Sequence, residues 1–130
     1  MHVQPLLHTH PAPLDHLAER ADAVLQALDC GQACTACADA CLAEEGDMGP
    51  CIRRCLDCAD LCAAVVALGS RQTAGDSPAF AALLEACVAA CRACGDACAS
   101  HADTMDHCRH CADACRACEQ ACNTLRHALA

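Results

Sequence analysis

The chain has 130 residues, enough for one domain with a compact core. Its apolar share of 55% comes mostly from alanine and cysteine, with a single aromatic residue, Phe80, and 17 cysteines. A formal charge of −9 with only eight Lys and Arg argues against nucleic acid as a partner, and no apolar stretch approaches the roughly 20 residues of a membrane span.

The first residues, MHVQPLLHTHPAP, have no basic n-region, no long apolar run and no twin-arginine pair. The expectation is therefore a cytoplasmic protein whose thiols are kept reduced. An odd cysteine count also prevents complete internal pairing. Residues 1–12, polar and bearing His2, His8 and His10, read as a flexible His-rich tail. A single domain is expected over 13–130.

Pro13 suits the first turn of a helix. From there Leu17, Ala21, Val24 and Leu28 keep an apolar rhythm of four, three and four. Cys30, Cys34, Cys37 and Cys41 repeat it one residue out of phase, so a kink or break is expected near Asp29–Gln32, with Gly31 at the slip. Gly46 reads as the C-cap. Pro50 opens a second helix with Cys51, Cys55, Cys58 and Cys62, then Val65, Val66 and Leu68, and Gly69 ends it. Ser77 caps a third helix with Pro78 at its first position. Its apolar residues Phe80, Leu83 and Leu84 precede Cys87, Cys91, Cys94 and Cys98. After a turn at Ala102–Asp106, a fourth helix carries Cys108, Cys111, Cys115, Cys118 and Cys122, followed by Leu125 and Leu129. Steps of three and four put all of these on one helical face, where a bundle helix ordinarily carries leucine.

The block order alternates from helix to helix: apolar–cysteine, cysteine–apolar, apolar–cysteine, cysteine–apolar. Short connections make neighbouring helices antiparallel. The predicted fold is an all-α, antiparallel up-down-up-down four-helix bundle with a cysteine-lined core. It has an aliphatic plug at one end and a thiol tube at the other.

Thiols three or four apart on a helix make poor disulfides, because the bond needs a close and particular Cβ approach. They are well placed to share a metal ion. Soft thiolates select Cu(I), Zn or iron–sulfur clusters. A Zn²⁺ held by four thiolates keeps about two negative charges, and many such sites would bury uncompensated charge. Cu(I) bridged by two thiolates, each shared with a second ion, gives a ratio of about 1:1 and cancels every charge. Multiple Cu(I) ions are thus the expected cargo. The alternatives are an iron–sulfur redox protein, though the C-x2-C-x2-C-x3-C-P run is absent, and a zinc or mixed-metal thiolate buffer. No single thiol stands out as a catalytic nucleophile.

The repeated CxxxCxxC blocks on four in-phase helices, over residues 14–129, resemble the bacterial copper storage proteins and within them the cytosolic branch. The resemblance implies a four-helix bundle that stores many Cu(I) ions along its core without catalytic turnover, commonly as a homotetramer. A copper chaperone or chelating donor is the partner such a store needs.

In this layout two helix connections meet at the cysteine end. They carry Met48 on one side and His101, Met105, His107 and His110 on the other. Thioether and imidazole bind Cu(I) more weakly than thiolate, so Met48, His101, Met105 and His107 are expected to form an entry mouth. His101, which continues the inward stripe, is the favoured histidine ligand, and His110 is expected to be solvated. Family members also carry His or Met at that opening. His16 and His127 belong near the opposite end.

Overall fold

A computed structural model describes residues 1–130 as five helices without a strand: α1 (Val3–His8), α2 (Leu17–Leu42), α3 (Gly49–Gly69), α4 (Pro78–Ala99) and α5 (Asp106–Leu129). The four long helices form a closed ring in which α2 and α4 each pack against both α3 and α5. The backbones of diagonal partners do not meet. Side chains fill the space between them, and those side chains are mostly cysteine.

Local chemistry accounts for several boundaries. Ser77 Oγ accepts a hydrogen bond from Phe80 N at 3.1 Å, and Pro78 occupies the first turn of α4. Proline also opens α3, and Gly69 is its last residue. The turn before α5 is held by His101 O accepting from Met105 N at 2.9 Å.

The start of α2 differs from the expectation. Pro13 lies outside it, His16 adopts a left-handed backbone with φ 62°, and the helix begins at Leu17. Gly46 is not the C-cap of α2, which is Ala43. Gly46 instead takes a φ of 91° within the following turn, where a side chain would be strained.

The break expected near Asp29–Gln32 is absent, and α2 runs unbroken for 26 residues. The inward stripe passes through Ala23 and Ala27, both fully buried, rather than through the half-buried Leu28. Read through Ala27, the cysteines from Cys30 onward are in phase. Gly31 serves close approach: a Cβ there would stand 3.4 Å from Cys62 Cβ on α3.

Residues 1–12, read from composition as a tail, include α1, which packs Leu7 at 2% exposure. The buried Gln72 ties this segment down by donating to Leu7 O at 3.0 Å and accepting from Leu14 N at 2.8 Å. A buried amide satisfied on both sides is worth keeping.

Helix α4 corrects a further expectation, because by length and composition it is apolar enough to cross a membrane. Its apolar character comes from the core face itself: Leu84, Cys87, Cys91, Cys94 and Cys98 are all fully buried among the other helices.

Candidate metal centre

All 17 cysteines are free thiols and buried, none more than 3% exposed. Within a helix, residues four apart bring their sulfurs to 3.9 Å at Cys30–Cys34, Cys87–Cys91 and Cys118–Cys122. Between neighbouring helices Cys58 and Cys91 approach to 3.6 Å, and Cys34 and Cys115 to 3.7 Å. Across the diagonals Cys34 meets Cys94 at 3.8 Å and Cys62 meets Cys118 at 3.9 Å. These separations are far beyond the ~2.05 Å of a disulfide. They are what two sulfurs adopt when they share a metal ion.

The sulfurs form overlapping groups of four. Cys30, Cys58, Cys62 and Cys91 make one, Cys30, Cys34, Cys58 and Cys115 the next, and Cys34, Cys94, Cys111 and Cys115 another. Within each group the ligand atoms lie within 4.8 Å of one another. Cys30, Cys34 and Cys58 belong to more than one group, so a sulfur can bridge ions along the axis. Cys51 joins through Cys98 at 3.8 Å. At the far end the array stops against Val65, Leu84 and Leu125, all fully buried.

The opposite end is where the entry mouth is expected. Glu44, after α2, and His107, in α5, are joined there by His107 Nε2 and Glu44 Oε1 at 3.2 Å. His107 Nδ1 lies 3.4 Å from Cys37 Sγ and 3.6 Å from Cys108 Sγ. Contact with Cys37 raises the His107 pKa against the opposing effect of burial, and Glu44 adds to the rise. Contact with the Cys111 thiol and burial raise the Cys37 pKa, but contacts with Cys55, Cys98 and His107 outweigh them and hold Cys37 down to about 6. Burial pushes Cys108 up to about 12 and raises Cys41 as well.

Of the other mouth residues, Met48 is buried at 6% exposure within the core cluster, and Met105 packs against that cluster half-buried. His101, the favoured histidine from sequence, is half-buried in the α4–α5 turn, and it is His107 whose ring reaches the thiols. His107 sits in the first turn of α5. His110 is exposed, as are His16 and His127.

The largest surface hollow, about 790 Å³, is an outward-facing groove between α2 and α3 lined by Ala27, Leu28, Gly31, Thr35 and Ala59 among others. It contains no cysteine and lies apart from the metal-binding chemistry.

Sequence reasoning missed Arg20, whose guanidinium is fully buried near the plug. It bonds Asp76 Oδ1 at 2.7 Å and lies over the Phe80 ring at 5.6 Å. The signal was present, since Arg20 precedes Ala23, Ala27 and Cys30 at the same three–four spacing.

A helical protein whose interior is a continuous file of reduced thiols defines the class of multinuclear thiolate metal carriers. The chain belongs to the copper storage protein family, whose profile matches residues 17–127. No curated protein matches it in sequence. Among solved structures it is similar to the Streptomyces lividans copper storage protein Ccsp loaded with 10 copper equivalents, with 50% identity and a TM-score of 0.93 over 96% of this chain and 98% of that one. It is also similar to a cytosolic copper storage protein from Streptomyces lividans described with five coppers, at 51% identity and a TM-score of 0.82, covering 85% of this chain and 93% of that one. A Streptomyces lividans Ccsp variant with two histidines replaced by alanine matches at 50% identity and a TM-score of 0.82, over 85% of this chain and 94% of that one.

Proposed function

We propose that this protein stores Cu(I) in the cytoplasm, holding roughly one ion per cysteine along the axis of an antiparallel up-down-up-down four-helix bundle. The observation that carries this reading is the overlap of the four-thiol groups, because shared sulfurs allow each thiolate to serve two cuprous ions. Loading then replaces one thiol proton by one Cu⁺, so the buried charge stays balanced. Zinc throughout the core leaves surplus negative charge, and an iron–sulfur centre needs loops that wrap it rather than continuous helices.

The protein is a store and not a catalyst. Its thiols form a repeating set with no unique nucleophile, and none is open to a substrate larger than an ion. Copper arrives from a chaperone or chelating donor at the end bearing Met48, His101, Met105 and His107, and all 17 cysteines serve as ligands. The protein assembles as a homotetramer, as the family resemblance implies.

X-ray absorption of the copper-filled protein tests the ligand set. The expected spectrum has sulfur as the dominant neighbour and a short copper–copper distance. A nitrogen- or oxygen-dominated shell contradicts the proposal.

A further inference from the structure

The mouth group differs in kind from the groups deeper in the core. Cys37 and Cys41 on α2, with His107 and Cys108 on α5, bring three sulfurs and one ring nitrogen within 4.8 Å of one another. With Zn–S near 2.3 Å and Zn–N near 2.0–2.1 Å, a regular zinc tetrahedron has edges of about 3.8 Å between sulfurs and about 3.6 Å between sulfur and nitrogen. Cys37 and Cys108 stand 4.0 Å apart, and His107 Nδ1 stands 3.4 Å from Cys37 Sγ and 3.6 Å from Cys108 Sγ. These three edges match a zinc tetrahedron to within a few tenths of an ångström, and Cys41 Sγ, within 4.8 Å of all three atoms, supplies the fourth corner by moving inward.

We infer that Cys37, Cys41, Cys108 and His107 form a Zn²⁺ site at the mouth of the thiol array, distinct in metal and coordination from the Cu(I)-binding interior. Charge singles out this position. Three thiolates and a neutral imidazole leave Zn²⁺ with a net charge of −1, against −2 for four thiolates. The residual charge also lies at the solvent end, where the His107 side chain is 25% exposed, rather than in the dry core. Glu44 Oε1 completes the arrangement by accepting the Nε2–H of His107 at 3.2 Å, which turns the Nδ1 lone pair toward the sulfurs. A carboxylate behind a ligating histidine fixes its tautomer and strengthens it as a ligand. A zinc ion here joins α2 to α5 across the opening, and Cu(I) entering from this end must displace it.

The test uses the fully reduced, full-length protein free of metal. Zn²⁺ alone is titrated against a chromophoric chelator, and Co²⁺ serves as its coloured substitute. The expected result is a tight first equivalent with a break at one ion per chain. The cobalt form should show tetrahedral d–d bands with thiolate charge-transfer absorption. His107→Ala should weaken that equivalent at least about tenfold, and Glu44→Ala, an exposed change that leaves the helices intact, by about 10–100-fold. Uptake without a break at one equivalent overturns the inference, as does a first equivalent that both substitutions leave unchanged. Copper capacity on the same preparation separates the two readings. Full copper filling without a zinc break removes the zinc site alone, whereas a zinc break with low copper capacity removes storage and leaves the zinc site standing.

Discussion

Arg20 and Asp76 form an ion pair at 2.7 Å in which the arginine side chain is 1% exposed and the carboxylate 31%. The pair joins the first turns of α2 to the loop before α4, beside the aliphatic residues that stop the thiol array. Arg20 Nε and Nη1 have no hydrogen-bond partner, so Asp76 is the principal compensation for a buried cation.

Removing the carboxylate while leaving the cation is the costly change. Asp76→Ala is expected to destabilise the metal-free protein by about 2–4 kcal/mol, because it strands a buried charge. Arg20→Met, similar in volume and apolar, should cost less than Asp76→Ala despite removing the same ion pair. Urea unfolding under reducing conditions measures both. Equal costs, or a larger cost for Arg20→Met, contradict this account. Copper capacity should be unchanged in both variants, since the pair lies beyond the last cysteine layer.

Stability of the metal-free protein should decline in alkali. The folded chain raises Cys108 from 9.0 to about 12 and raises Cys41 too, so it holds those protons more tightly than the unfolded chain does. Their contribution is fully present below about pH 9 and is lost as the pH climbs through the folded values. Cys37, held down to about 6, runs the other way: its contribution grows between pH 6 and 9 and adds nothing further above that. Melting temperatures in reductant should therefore fall from about pH 9 upward. The copper-filled protein, with no thiol protons left to lose, should not follow and should melt well above the metal-free form. A flat alkaline profile for the metal-free protein contradicts the assignment.

Entry at the mouth predicts a kinetic phenotype with little loss of capacity. Replacing Met48, Met105 and His107 together by alanine should slow Cu(I) transfer from a chelated donor about tenfold or more while leaving final stoichiometry within a few ions of wild type. Adding His101→Ala should slow it little further, because the His107 ring is the one in contact with thiols. Stopped-flow uptake at fixed donor concentration checks this. A triple variant loading at the wild-type rate contradicts the entry route.

Much of the layout was legible because cysteine spacing carries the helical period directly. Each block from Cys51 to Cys122 is buried where its step pattern placed it, and Ser77–Pro78 marked the start of α4. The false break in α2 arose from favouring Leu28 over Ala27: the larger side chain is half-buried and alanine lies inside, because Gly31 lets α3 come close. The packed α1 depends on Gln72, 65 positions away from Leu7, a contact no local pattern encodes. The preference for His101 followed the α4 stripe past the helix end. Once the chain turns at Met105, the register of α5 governs, and that register points His107 inward.

The central claim is that the interior is a filled copper store, and an anaerobic Cu(I) titration of fully reduced protein against a competing chelator tests it most directly. The account predicts tight binding that continues to about one ion per cysteine, approaching the 17 thiols present. Saturation after only a few equivalents, with the remaining thiols still open to alkylation after unfolding, would contradict it.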